Sequence, residues 1–152
     1  FDPVWERDQL AKAYTALCSL PEVKRNKTLR TSYAETLYAL NRGALLQNGI
    51  RLPLALSLNM NTTASDQQMK DTMNTLVTIL KSIGVQVLGS DADYEARFTL
   101  SIRIEPDRVA VQLTDNVKGI SVLRKSLDQP QASSQGRRSF ALALSNILFT
   151  ME

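Results

Sequence analysis

The sequence has no histidine and only one cysteine among its 152 residues. Without histidine, the commonest general base is missing, together with the serine and cysteine mechanisms that it assists and the zinc sites that it ligates. A single cysteine excludes both an intrachain disulfide and a cysteine-built metal centre. Its setting, AYTALCSL, predicts that Cys18 is a small buried side chain on a helix.

Glycine and long apolar runs are also scarce. None of the six glycines stands in the GxGxxG or GxxxxGK[ST] spacing of a phosphate-binding loop, so nucleotide binding by those routes is not expected. No stretch approaches the roughly 18 consecutive apolar residues of a membrane span, so we expect no membrane span in this chain. The net charge of +3 comes from scattered basic residues rather than from one basic tract.

The remaining composition is that of an ordinary globular protein, with 43% apolar and 22% charged residues. We expect a single globular domain over residues 1–152. Within it, residues 1–48 are expected to form a helical amino-terminal part and residues 50–152 an α+β core.

Helical spacing of apolar residues and capping signals predict four helices. Ser65 followed by Gln68 is a capping box, and Asp2 before Pro3 is a helix start. The triplet Asn41, Arg42 and Gly43 is a weak point at which a helix bends or breaks. The predicted helices cover residues 3–20, 28–48, 66–83 and 134–150.

Alternation of apolar and polar residues predicts about five strands, in the order helix, helix, strand, helix, four strands, helix. The strands cover residues 50–60, 85–88, 94–105, 108–115 and 119–126. Pro53 cannot donate to a sheet ladder, so we expect an edge position or a bulge there. The pattern favours an α+β fold, with an antiparallel or mixed sheet and helices packed mainly on one face.

The clearest alternation is DADYEARFTLSIRIEP. One parity is apolar and is expected to face the core, so Phe98→Ala should cost about 3 to 5 kcal/mol. The other parity carries Arg97 and Arg103 among Glu, Thr and Ser, and it includes no aromatic residue for stacking bases, so no nucleic acid is expected. This face is either solvated or meets a protein partner, with Arg97 and Arg103 as candidate contact residues. We expect Arg97→Ala to be nearly neutral for folding unless the face is covered.

Three carboxylates in SDADYE form the sharpest alternative site. Asp91, Asp93 and Glu95 share one parity and would project from one side of an extended chain. Their oxygens suit calcium or magnesium, or a paired-carboxylate mechanism, so a small enzyme or a ligand- or metal-binding domain is the alternative function. The pattern itself favours a polar strand entry with no metal and no catalysis.

The carboxyl-terminal part of the chain, about residues 65–152, resembles small bacterial cell-envelope domains. Similar domains occur in penicillin-binding-protein activator lipoproteins, curli-secretion lipoproteins, flagellar assembly accessory proteins and the amino-terminal domain of the Tol β-propeller protein. The resemblance rests on the order of elements and on Ala92, Asp93, Tyr94, Asp115 and Gly119. The two leading helices are not part of this pattern, and no lipobox cysteine opens the chain, since Cys18 lies inside a predicted helix.

The resemblance implies a non-catalytic accessory domain that works by protein–protein contact in the assembly or transport of an envelope complex. It implies no catalytic residue, metal or cofactor. The expected partner is another envelope protein or a second copy of this chain, and the expected location is the periplasm or the outer membrane. A signal or anchor would then have preceded Phe1.

Overall fold

The computed structural model describes residues 2–60, 63–89, 94–130 and 133–150. The described helices are α1 (Pro3–Cys18), α2 (Pro21–Arg25), α3 (Lys27–Leu40), α4 (Arg42–Gln47), α5 (Asp66–Ser82) and α6 (Ser134–Phe149). The described strands are β1 (Leu52–Asn59), β2 (Val85–Val87), β3 (Phe98–Ile104), β4 (Arg108–Asp115) and β5 (Ile120–Asp128).

The five strands form one mixed sheet in the order β2-β1-β3-β4-β5. β1 is parallel to both β2 and β3, whereas β3, β4 and β5 are successive antiparallel neighbours. This mixed sheet with its helices confirms the expected α+β class. Among the described residues, no helix combines the length and the apolar character needed to cross a membrane.

Pro53 has a different place from the one expected. β1 lies inside the sheet, so an edge position for this strand is wrong. Pro53 is aligned with Gln86 of β2, and the pairing of β1 with β3 begins only at Ala55. The Leu52 N–H donates to Gly84 on the β2 side, so the Pro53 nitrogen faces the side where pairing with β3 has not begun. The missing N–H therefore breaks no ladder bond.

The predicted helix 28–48 is two helices. Asn41 is extended, with φ −156° and ψ 100°, and it is the C-cap of α3 and the N-cap of α4. Asparagine favours such positions because its side chain competes with helical backbone bonds. The break therefore lies at the triplet that the sequence marked as weak, while the capping box at Ser65 and Gln68 is present at the start of α5.

The predicted strand 94–105 begins late. Phe98 is aligned with Asp115, the last residue of β4, so residues 94–97 have no strand opposite them in β4. They are bound instead to α3, as described below. At the other end of the sheet β5 reaches Asp128, which is aligned with Arg108, so this strand is longer than the predicted 119–126.

The core lies between one face of the sheet and the helices. Phe98, Leu100 and Ile102 alternate on β3 and are at most 1% exposed, which confirms the apolar parity as the core side. They belong to one cluster with buried side chains of three helices, namely Leu37 and Tyr38 of α3, Leu80 of α5, and Leu144 and Leu148 of α6. The helical amino-terminal part therefore shares its core with the sheet.

Tyr38 connects α3 to the core on three sides. Its ring meets Phe98 edge-on, with centroids 5.1 Å apart, and Phe149 at 6.3 Å. Its hydroxyl donates to the Leu148 carbonyl at 2.5 Å, so the polar end of the buried ring is satisfied. These contacts place α3 at the end of the sheet where β3 begins and β4 ends.

Candidate functional site

The three carboxylates of the alternative site are only partly described. Asp91 and Asp93 lie outside the described residues, and Glu95 is exposed. Within residues 2–60, 63–89, 94–130 and 133–150, no group of three or more His, Cys, Asp or Glu side chains is placed to hold a metal ion. The enzyme or metal alternative therefore stays a prediction.

Four other polar residues meet at the start of β3, and we name them the Glu35 cluster: Glu35, Tyr94, Arg97 and Asp115. Glu35 is only 3% exposed, although it lies on a helix. The Arg97 backbone N–H donates to Glu35 Oε2 at 2.7 Å, and the Tyr94 hydroxyl donates to Glu35 Oε1. Both bonds hold the segment before β3 against α3, which explains why this segment does not extend the strand.

The Arg97 side chain turns towards Asp115 at the end of β4. Its Nη2 lies 3.1 Å from Asp115 Oδ2, and the two side chains are only 18% and 4% exposed. Asp115 Oδ1 also accepts the backbone N–H groups of Val117 and Lys118, at 3.0 and 3.2 Å. Asp115 therefore fixes the turn into β5, where Gly119 takes a positive φ of 68°.

Burial and hydrogen bonding have opposite effects on the pKa values of the two carboxylates in this cluster. Burial raises the pKa of Glu35, although the donors Tyr94 and Arg97 act in the opposite direction. Burial also acts to raise the pKa of Asp115, but the bonds from Arg97, Lys118 and Val117 outweigh it and leave this pKa lowered. The pKa of the Tyr94 hydroxyl is raised by burial and by Glu35, so it remains a donor.

These bonds satisfy the Glu35 cluster internally. In the described ranges, every buried side-chain nitrogen or oxygen has a hydrogen-bond partner. Arg97 also lies over the Phe98 ring, with its Cζ 5.4 Å from the centroid. The cluster therefore orders the start of β3 and the β4–β5 turn, and the Arg97 side chain is directed towards Asp115.

Arg103, the other predicted contact residue, is exposed on the side of the sheet that faces away from the core. It overlooks a shallow cleft of about 500 Å³ on the face that the helices leave uncovered. We name this surface the open face and define it by its outward side chains: Ser57, Asn59, Ser101, Arg103, Ala110, Gln112 and Arg124. The cleft has only two charged residues in its lining, and both are arginines.

The two arginines stand on either side of β4. Arg103 of β3 is aligned with Ala110, and Arg124 of β5 with Gln112, two residues further along β4. With strands about 4.8 Å apart and a rise of about 3.3 Å per residue, their Cα atoms are about 12 Å apart. Ala110 and Gln112 of β4 lie between them.

Next to the open face, the edge of the sheet forms a groove with α6. β5 pairs with β4 alone, so it is an edge strand. The groove has a volume of about 790 Å³ and is lined by residues 122–127 of β5, by Arg42 and by the end of α6. Arg124 lines both the groove and the open face, so the two surfaces are continuous.

Sequence reasoning missed Glu35 and Arg124 as notable residues. Thr31, Ala34, Glu35 and Tyr38 are all buried and recur at helical spacing on α3, so a carboxylate on an apolar stripe was the available signal for Glu35. The alternation of Ile120 and Val122 had assigned Arg124 to the same side of its strand as these apolar residues. A register shift between β4 and β5 near Leu113 changes the parity of that strand.

No protein-family model matches the chain. No curated protein sequence matches it either. Among solved structures, the chain is similar to the dodecamer of a PelC variant from Paraburkholderia phytofirmans, with 18% sequence identity and a TM-score of 0.43 over 65% of this chain and 87% of that chain.

Proposed function

We propose that this chain is a non-catalytic accessory domain of the bacterial cell envelope, in the periplasm or at the outer membrane, that acts through protein–protein contacts in the assembly or transport of an envelope complex. The observation that carries the contact is the open face, a sheet surface with two exposed arginines whose cleft is lined by no residue of a described helix. The envelope location rests on the sequence resemblance described above.

The chemistry of the open face favours a protein partner with negative charge. The β4 side chains between the arginines, Ala110 and Gln112, carry no charge. Arg103 and Arg124 are the charged residues that line its cleft. Arginine is enriched in protein interfaces, because its planar guanidinium binds carboxylates through two parallel hydrogen bonds.

The size of the open face sets the strength of the contact. Four strands about 4.8 Å apart and about six residues of 3.3 Å each give roughly 400 Å² of sheet surface. A stable interface buries about 800 Å² on each partner. The open face alone therefore supports a weak, transient complex, and a stable complex also needs the adjoining edge of β5.

Site-specific cross-linking in native cells tests this proposal. A photoactivatable residue at Ser101, in the middle of the open face, is expected to give a discrete cross-linked product in the envelope fraction. The same residue at Lys12, exposed on α1, is the matched control. Charge reversal with Arg103→Glu should abolish the Ser101 product without changing expression.

Three results would contradict the proposal. Equal products from Ser101 and Lys12 would mean that the open face has no special role. A product unaffected by Arg103→Glu would exclude the arginine-mediated contact, and recovery of the protein in the cytoplasmic fraction would exclude the envelope location. A product with twice the mass of the chain would identify the partner as a second copy.

A further inference from the structure

A second concave surface shares no lining residue with the open face. This cleft, of about 590 Å³, lies between α2, α3 and the start of β1. Its volume is within the range of about 300 to 1,000 Å³ that small-molecule sites occupy. We name it the basic cleft because Lys24, Arg30 and Arg51 line it and, among the described residues, no acidic side chain does.

The floor of the basic cleft is buried and largely apolar. Cys18, Ala34 and Pro53 are at its base and are nearly inaccessible, and Ile50 is half-buried beside them. Thr31 is also buried, with its hydroxyl donating to the Lys27 carbonyl at 2.8 Å. An apolar body can therefore lie on this floor without leaving a buried polar group unpaired.

Backbone carbonyls hold the two arginines of the cleft in place. Arg30 Nη1 donates to the Lys24 carbonyl at 2.7 Å, which fixes its guanidinium beside the end of α2. Arg51 Nη1 donates to the Lys81 carbonyl at 3.1 Å and lies 3.4 Å from that of Val85. A guanidinium has five N–H donors, so each arginine retains donors for a ligand.

The positive charge of the cleft is not neutralised by an ion pair. In the described part of the chain, the ion pairs are Arg97 with Asp115 and Arg108 with Glu105. Lys24, Arg30 and Arg51 belong to neither. Three cations from three elements beside one apolar floor favour a ligand that combines an anionic group with an apolar body.

We propose that the basic cleft binds an organic phosphate, with the phosphate held by Arg30 and Arg51, Lys24 adding charge, and the apolar part of the ligand resting on Ile50 and Pro53. Arginine suits this role because its fork of donors matches phosphate oxygens. The ligand is either a free organic phosphate or the phosphate headgroup of a lipid. This inference goes beyond the proposed function, because the protein contact uses a separate surface.

Titration of the full chain with 1-naphthyl phosphate, followed by amide NMR, tests the proposal. We expect saturable shifts at Gly49, Ile50 and Gln86, which line the cleft, and weaker binding as salt is added. Arg30→Gln with Arg51→Gln should weaken binding roughly tenfold or more, as expected for the loss of charge-assisted hydrogen bonds. Arg7→Gln with Arg138→Gln removes the same charge from exposed positions on α1 and α6 and should leave binding unchanged.

A second variant and a second probe complete the test. Lys24→Gln changes only an exposed side chain, because Arg30 is held by the Lys24 backbone, so weaker binding in this variant supports the proposal even if the double variant does not fold. If the chain binds 1-naphthyl phosphate and also phosphatidylglycerol vesicles, but not pure phosphatidylcholine vesicles, the ligand is a lipid headgroup. If it binds 1-naphthyl phosphate and neither kind of vesicle, the ligand is a free organic phosphate. Absence of saturable shifts at low salt overturns the proposal, and so does an equal loss of binding in the Arg7 and Arg138 control.

Discussion

Replacing Arg97 with Ala should destabilise the fold measurably. The substitution removes a guanidinium that is paired with Asp115 at 3.1 Å, where the side chains are 18% and 4% exposed. Removing one partner of a fully buried pair costs about 3 to 5 kcal/mol, whereas an exposed pair contributes about 0 to 1 kcal/mol. Asp115 still accepts two backbone N–H groups after the substitution, so its charge is not left without donors. We therefore expect a loss of about 2 kcal/mol.

Urea denaturation at neutral pH measures this loss. A chain of this size has an m-value of about 2 kcal/mol per molar urea, so a loss of about 2 kcal/mol lowers the midpoint by about 1 M. Arg103→Ala is the matched control, because it removes the same type of side chain from an exposed position on β3. Its midpoint should stay close to that of the wild type.

Equal midpoints for Arg97→Ala and Arg103→Ala would refute this reasoning. A double-mutant cycle with Asp115→Asn separates the ion pair from the loss of packing against Phe98. The two single substitutions should be clearly non-additive. The sequence alone had indicated that Arg97→Ala is nearly neutral, and the burial of its partner Asp115 is the reason for the revised expectation.

Three further predictions concern the core, a titrating group and a turn. Phe98→Ala should lower the free energy of unfolding by about 3 to 5 kcal/mol in urea denaturation, because Phe98 is 1% exposed. Leu142→Ala, at a side chain that is 64% exposed, should change it little. Similar losses at both positions would contradict the strand orientation. Burial raises the pKa of Glu35 above its ordinary 4.5, so the folded state holds this proton more tightly; the contribution to stability is present at low pH and is lost as pH rises through the folded pKa. Glu35→Gln should therefore flatten the rise in stability as the pH falls from neutral towards 4.5, and an unchanged slope would exclude Glu35 as its source. Gly84→Ala should cost about 1 to 3 kcal/mol, since Gly84 has φ +97° and the added Cβ would lie 3.0 Å from a leucine side chain of α4. Gly89→Ala is the control, because its added Cβ meets nothing within 4 Å. A comparable cost at Gly89 would contradict the prediction.

The elements that could be predicted from sequence are those with a strong local period. The alternation through Phe98, Leu100 and Ile102 identified both a strand and its core side, because side chains point to alternate faces of any strand. The capping box at Ser65 and Gln68 located the start of α5 because it is a purely local arrangement. Local patterns of this kind need no knowledge of distant partners.

The features that could not be predicted depend on contacts between distant parts of the chain. Glu35 and Arg97 are 62 residues apart in the sequence. Their hydrogen bond holds the segment before Phe98 against α3, so the strand begins at Phe98 and not at residue 94. The parallel pairing of β1 with β3 brings together strands that are separated by α5 and β2, so it left no trace in either strand. The same applies to Pro53, whose tolerance depends on where β3 begins to pair with β1.

The candidate surfaces were predicted to a smaller extent. The exposed position of Arg103 followed from the polar parity of its strand. The same parity failed for Arg97, which precedes the first ladder pair and turns its side chain towards Asp115. Arg124 became part of the open face only through the pairing of β4 with β5. The basic cleft combines residues from α2, α3 and the start of β1, which have no shared sequence pattern.

We propose that the open face binds a protein partner through its two arginines. The most direct measurement is the affinity of the purified partner, recovered by cross-linking at Ser101, for the wild-type chain and for Arg103→Ala with Arg124→Ala. We predict that affinity falls roughly tenfold or more and that association becomes slower and less sensitive to salt. Arg7→Ala with Lys12→Ala, which removes two exposed charges from α1, should leave the affinity unchanged. Equal affinities for the two double variants would contradict the account.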